Sequence, residues 1–347
     1  MLRKFFSSAM LLACYTVVSA QDSTKPKLLV SGYVDVYYRY NFQNAKSQGA
    51  TNNATSFTNS QNSFELGMAS VKLEHSFGKV GVVADLGFGK RAEEFSYNDS
   101  GTLLAVKQAY ITYAPSDKIK FTAGSWGTHV GYEVLDPYLN RNYSMSYMFS
   151  YGPFFHTGVK ADVTLGNFGI MLGIVNPTDL KSANFQRKFL IGQLSAATSN
   201  GKLKAFLNYQ GGKYEDDTKV KQVDLTVTGT VSDKFSVGYN GTVQSVKPSG
   251  GDAESWWGSA VYLNYDPTAA FGLTLRGEYF DDKKAVSGGA FGTSIFATTL
   301  SGNIRIGNLT VIPELRLDSA KDPYFVKNSG AGTKSASSFL LAAIYHF

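Results

Sequence analysis

Few residues in this chain could do covalent chemistry. There are four histidines, His75, His129, His156 and His346, and one cysteine, Cys14. A Ser–His nucleophile needs a third group to orient the imidazole and donors for an oxyanion. Ser144 and Ser146 lie near His156 in the chain, but no fixed-spacing motif supplies the other parts. No two histidines stand at the short spacing of a metal-ligand pair. Gly250-Gly251 and Gly288-Gly289 read as loop glycines, not as a phosphate cradle between a strand and a helix. A barrel-embedded hydrolase is therefore the weakest functional reading, and no catalytic residue, cofactor or metal is expected.

The charged residues offer a different chemistry. Many alternate with apolar ones at a spacing of two, which puts them on one face of a strand. The positive set on that face is Arg39, Lys72, Lys120, Lys160, Lys204, Arg276, Arg305 and Arg316. The negative set is Asp35, Glu74, Asp85, Asp162, Asp224, Glu278, Glu314 and Asp318. Several are same-face neighbours, such as Lys72/Glu74, Lys160/Asp162 and Arg276/Glu278. Crossed charges of this kind hydrate a wall and pin its side chains. A ring of one sign, which a strongly ion-selective pore needs, is missing, so weak selectivity is expected.

The elements that carry these charges read as strands. From Leu28 to Phe42 the even positions are apolar, aromatic or glycine and the odd positions mostly polar. The same alternation marks about 16 segments, at 28–42, 64–77, 80–90, 103–114, 119–126, 154–165, 168–176, 188–198, 202–211, 221–231, 235–246, 255–265, 271–281, 294–306, 309–319 and 336–347. One conflict stands in 103–114. Facing Ala109, Ile111 and Tyr113 outward also turns Lys107 outward, unless a bulge or a rim position intervenes.

Tight turns such as Gly78-Lys79, Gly166-Asn167 and Gly307-Asn308 alternate with longer polar segments, the largest at 43–63, 127–153 and 319–335. The loops at 43–63 and 319–335 are rich in Asn, Ser, Gly and Thr and read as flexible and exposed. A soluble sandwich is the rival architecture. It fails because the polar face carries charges on nearly every strand and cannot be a dry core. Aromatics also gather at both ends of the apolar face. Phe77, Tyr113, Phe121, Phe168 and Phe271 stand near the turns, and Phe42, Phe88, Tyr209, Tyr239 and Trp257 near the loops. Two such belts mark the two interfaces of a membrane. The expected fold is all-β: a transmembrane antiparallel up-and-down β-barrel with short periplasmic turns and long extracellular loops. About 16 strands enclose more space than side chains fill, which leaves an aqueous channel.

Arg3 and Lys4, an uncharged stretch from Phe5 to Val18, and Val18-Ser19-Ala20 form a signal peptide with cleavage expected after Ala20. Residues 21–347 then form one outer-membrane domain. Leu11-Leu12-Ala13-Cys14 loosely resembles a lipoprotein box, but Leu12 is bulky and the apolar run continues past Cys14. Removing the leader takes away the single cysteine and leaves 31 basic against 27 acidic residues. That excess is too mild to imply nucleic acid. Composition excludes other classes too. Apolar residues at 43% argue against disorder. One cysteine argues against a disulfide-stapled module.

The segment 127–153 is long, aromatic and lightly charged. Tyr132, Tyr138, Tyr143, Met145, Tyr147, Met148 and Phe149 suit a loop folded into the barrel better than one in water. Glu133, Asp136 and Arg141 would then face the narrowed path. A surface lid or a subunit contact is the alternative.

The stretch Ala123-Gly124-Ser125-Trp126-Gly127-Thr128-His129-Val130-Gly131-Tyr132-Glu133 resembles the "putative β-barrel porin-2 (OmpL-like)" family. Asp136-Pro137, Asn142-Tyr143-Ser144, Gly152-Pro153 and His156-Thr157-Gly158-Val159 continue the likeness. The resemblance implies an outer-membrane porin for small hydrophilic solutes and carries over no ligand residue. Tyr345-His346-Phe347 resembles the signal that barrel-assembly machinery reads, and fold-level analogy allows a homotrimer. A solute-specific binding barrel or an adhesin is the other class of function.

Overall fold

The computed structural model describes residues 27–347. The leader expected at 1–20 lies outside them. Sixteen strands close into one antiparallel barrel. In chain order they are β1 (Lys27–Asn41), β2 (Ser63–Phe77), β3 (Val80–Phe88), β4 (Val106–Ser116), β5 (Ile119–Gly127), β6 (Phe155–Leu165), β7 (Phe168–Val175), β8 (Phe189–Ala197), β9 (Leu203–Lys213), β10 (Lys219–Thr230), β11 (Phe235–Lys247), β12 (Glu254–Thr268), β13 (Phe271–Asp281), β14 (Ser294–Ile306), β15 (Leu309–Ala320) and β16 (Ser335–His346). Each pairs with its neighbour in sequence, and β1 closes on β16 with Tyr33 opposite His346. Phe347 completes the seam: its N–H donates to the Gly32 carbonyl at 3.0 Å, and the Gly32 N–H donates back to its carbonyl at 3.1 Å. Closure leaves no strand edge unpaired, which is the condition for a sheet to cross lipid.

The period-two pattern sorts side chains as the sequence expects. On β10, Val223 and Leu225 are exposed outward while Gln222, Asp224 and Thr226 are buried inward. The outward set at the two strand ends includes Phe77, Phe121, Phe168 and Phe271 at the turns and Phe42, Phe88, Tyr209 and Trp257 at the loops, all exposed.

Among the described strands the register shifts at four places, two of them next to turns, and the other two re-aim lumen residues. In β2 the register slips between Asp35 and Val36, so that Gly67 is the extra residue. Glycine is required there, because a Cβ would collide with the Asp35 carboxylate and come within 2.8 Å of the Tyr143 hydroxyl. In β4 the register slips between Asp85 and Leu86, leaving Lys107 as the extra residue. That bulge resolves the parity conflict of the sequence: Lys107 turns inward and is buried.

Eight loops cross one end: L1 (42–62), L2 (89–105), L3 (128–154), L4 (176–188), L5 (214–218), L6 (248–253), L7 (282–293) and L8 (321–334). Turns such as 78–79 and 166–167 cross the other. L2 carries a helix α1 (Lys90–Phe95), and L8 a small hairpin pairing Phe325 with Thr333. L1 differs from the flexible loop its composition suggests. Phe57, at φ 72°, is buried against Phe149 and Phe154, so one aromatic side chain ties the polar loop down.

Candidate functional site

L3 connects β5 to β6 and crosses the lumen. Its first turn is held by the β10–β11 wall: Gly131 N–H donates to Asp224 Oδ1 at 3.1 Å and Tyr132 N–H to Asn240 Oδ1 at 3.3 Å. The Tyr132 ring then stacks on Tyr262, centroids 4.0 Å apart. Glu133 ion-pairs with Arg276 at 2.5 Å, both buried. Across the barrel, Asp136 meets Lys107 at 2.7 Å and accepts from the Tyr33 hydroxyl at 2.9 Å. Near the turn end, Arg141 Nη2 reaches Asp266 at 2.7 Å, and Arg305 shares that carboxylate at 3.0 Å.

The return limb is docked by its backbone. Glu314 accepts from the N–H groups of Tyr143 at 2.8 Å and Ser144 at 3.2 Å. Glu278 accepts from Tyr147 and Met148, each at 2.9 Å. Glu133, itself in L3, takes the Ser146 N–H at 2.7 Å. Arginines supply the complementary donors: Arg276 to the Ser144 carbonyl at 2.8 Å and Arg316 to the Met145 carbonyl at 2.7 Å. Wall carboxylates thus take loop N–H groups and wall guanidiniums take loop carbonyls. Charge-assisted bonds of this type are shorter and stronger than neutral ones. They also satisfy backbone polar groups that would otherwise be buried without partners.

The expected lining charges fall into two groups. Asp35, Arg39, Asp85, Asp224, Arg276, Glu278, Glu314, Arg316 and Asp318 face inward but are buried. Asp35 accepts from the Tyr143 hydroxyl and the Met68 N–H, Arg39 holds L1 carbonyls at Thr51 and Ser60, and Asp318 pairs with Arg316 at 2.9 Å. Lys72, Glu74, Lys120, Lys160, Asp162, Lys204 and Arg305 retain partial exposure and sit toward the turns. Lys72–Glu74 at 3.1 Å and Lys160–Asp162 at 3.4 Å are the same-strand pairs expected from spacing. Glu133 differs from its expected place on an open path. It is buried because Arg276 lies opposite and needs a counter-charge.

Three charged residues were not legible as lumen groups. Lys107 is turned in by its bulge and lies 3.1 Å from Asp85 and 2.9 Å from the Ser70 hydroxyl. The parity conflict was its signal. Arg91, from α1, is fully buried with its guanidinium between the Phe57 and Tyr143 rings at 5.1 and 4.9 Å. Asp266 anchors two arginines from a position that reads as a turn. The inner wall of β8–β12 also holds a network of amides, with Gln193–Asn208, Gln210–Gln222 and Gln244–Gln222 bonds at 2.7, 2.8 and 3.1 Å. Beside it Met171, Val175, Phe189 and Ile191 form an apolar inner cluster.

The histidines do not assemble a nucleophile. Ser146 caps the short helix Tyr147–Ser150, and the Ser144 hydroxyl lies beside Arg276 and Arg316. His129 and His156 come together, rings 5.1 Å apart, because Trp126 pairs with His156 across β5 and β6. Sequence distance hid this pair. Among the described residues no three potential metal ligands cluster.

Outside the barrel, L2, L3 and L4 are latched. Asp179 accepts from the N–H groups of Phe154 at 2.7 Å and Phe155 at 2.9 Å, and from the Tyr97 hydroxyl at 3.1 Å. Burial pushes its carboxyl up to about 7. Nearby, Lys181 binds Asp99 at 2.7 Å. Burial pulls the Lys181 ammonium below its usual range.

The sequence pattern of the family described as "Putative beta-barrel porin-2, OmpL-like" matches residues 27–347. The chain belongs to this family. Solved structures of outer-membrane proteins share the fold at low identity. An anion-selective porin from Comamonas acidovorans aligns with TM-score 0.63 at 10% identity, covering 93% of this chain and 100% of that one. The outer-membrane channel DcaP of Acinetobacter baumannii gives 0.64 at 13%, covering 94% and 99%. OmpT of Vibrio cholerae gives 0.60 at 13%, covering 94% and 98%. No curated protein sequence matches the chain. The porin family and the barrel together make this chain an outer-membrane channel protein.

Proposed function

We propose that this porin passes small hydrophilic solutes by passive diffusion, with L3 as its constriction and only weak charge selectivity. The docking of L3 residues 143–148 to Glu278, Glu314, Arg276 and Arg316 supports the reading, because a loop held on the inner wall narrows the path beside it. The partly exposed charges Lys72, Glu74, Lys120, Lys160, Asp162, Lys204 and Arg305 line the water-filled vestibule on the turn side. Their mixed signs favour neither ion. L3 and its anchors add Lys107, Arg91 and Arg141 on one side of the balance and Asp266, Glu133 and Asp136 on the other. The export leader at 1–20, assembly through the Phe347 strand, lipid around the barrel and a homotrimer complete the proposal. A trimer form is described for the OmpT neighbour.

Purified protein in a planar bilayer should give stepwise currents, with a reversal potential near zero in a salt gradient of ions of equal mobility. Strong anion or cation preference would contradict weak selectivity. Absence of current, with solute binding or lipolysis retained, would replace the channel by a binding barrel or a hydrolase.

A further inference from the structure

We propose that the outward rim of β9–β11, with the groove beneath it, binds a phosphorylated lipid of the outer leaflet. The proposal rests on the outer-membrane placement of the barrel and goes beyond its channel activity. Lys219 stands opposite Lys213 across β9 and β10, and opposite Lys247 across β10 and β11. Lys221 follows on the same face of β10. This is the face of Leu207, Tyr209, Val223, Leu225 and Val243, all exposed, so the ammonium groups emerge on the lipid side.

Directly opposed residues have Cβ atoms about 5 Å apart, and like charges there destabilise the pair. One lysine is neutralised within the chain: Asp217 binds Lys213 at 2.5 Å and also holds Arg187 at 2.9 Å. Two other acids stand on L5, Glu215 and Asp216, and the Asp216 carboxylate accepts from the Thr218 N–H and hydroxyl. Lys219, Lys221 and Lys247 are exposed, and among the described residues none has an acid within ion-pair distance. A row of ammonium groups held in register calls for a multivalent anion.

A groove of about 1100 Å³ runs along the outward faces of β4–β10, and its end at Leu207, Tyr209 and Val223 lies below the β9–β10 part of the row. The Tyr209 ring leans toward Gly211, where a Cβ would lie 2.6 Å from its hydroxyl, so the phenol tip points up toward Lys213. An anionic head above and an apolar trough below fit one molecule with phosphate and acyl chains. A soluble anion would use the row and leave the trough empty. A second copy of the chain placed face to face would bring an identical lysine row against this one, and the two would repel.

The test uses the full chain in detergent, diphosphorylated lipid A, the same lipid without phosphates, and native mass spectrometry. Wild-type protein should retain the diphosphorylated lipid. Each of K219Q, K221Q and K247Q should weaken retention about fivefold, the cost of one basic residue at an anionic surface. The phosphate-free lipid should be held no better than the triple variant holds the phosphorylated one. Unchanged single-channel conductance in the triple variant shows that the barrel is intact. Equal retention by an intact triple variant would overturn the proposal. So would equal retention of the phosphate-free lipid, or a lipid-free dimer seated on this face. Lipid retention without any current would contradict the channel and leave the lipid site standing.

Discussion

Lys107 shows how much a single residue can organise. Its ammonium sits between Asp85 at 3.1 Å and Asp136 at 2.7 Å, and over the Tyr33 ring. Methionine would fill the space and strand two carboxylates. Removing one partner of a buried pair costs about 3–5 kcal/mol. Lys107→Met should therefore lower the midpoint of urea unfolding in detergent, and a midpoint equal to wild type would contradict the buried pair. Arg276 is a second case. Its sequence position reads as a lining charge that could be exchanged cheaply. Its burial against Glu133 and two L3 carbonyls makes Arg276→Leu as costly as the lysine change. The alternation of residue types revealed which way Arg276 faces. It could not reveal that another segment would cover it, because burial inside a barrel depends on a loop 130 or more positions away in the chain.

At the scale of elements, strands and their connections were legible and loop conformations largely were not. Period-two alternation dictates a strand wherever one face meets lipid and the other the lumen. From Tyr33 to Asn41, β1 alternates buried and more exposed residues without interruption. Bulges break it, and the conflict at Lys107 leaves a bulge or a rim position as its resolutions, between which alternation alone does not choose. Loops lack periodicity, so the course of L3 follows from side-chain chemistry alone: its aromatics signalled an interior, while its partners emerged only from the fold.

The latch between L2, L3 and L4 has a pH dependence with a definite sign. The Asp179 carboxyl is raised to about 7 by burial, above its ordinary value in an unfolded chain. A raised carboxyl favours the folded latch when protonated. Its contribution is complete below about pH 4 and is lost as pH rises through about 7. The amides of Phe154 and Phe155, corrected for intrinsic exchange, should be better protected at pH 5 than at pH 8. Asp179→Asn should remove the difference. Protection that rises toward pH 8 would mean that the charged carboxylate, not the neutral acid, holds the latch.

For the whole molecule, two surfaces impose opposite demands. The outer face must be apolar at mid-depth, and Leu275 stands there, exposed on β13 between Leu263 and Leu300. Leu275→Arg should cost about 2–4 kcal/mol if that face meets the centre of the bilayer. Refolding into lipid vesicles would reveal it, and a cost no larger than that of a loop substitution would reverse the assigned faces. The inner face must hold water and also a folded loop. It pairs its charges in both settings: buried pairs hold L3, and partly exposed pairs stand near the turns.

In the proposed channel, L3, docked on the β13–β15 wall, limits the pore. Single-channel conductance of the wild type against a deletion of Glu133 to Met148 tests it most directly. The deletion removes the limb held by Glu278, Glu314, Arg276 and Arg316, and conductance should rise while the barrel stays closed. A deletion protein that folds and inserts but conducts no more than wild type would show that the constriction lies elsewhere.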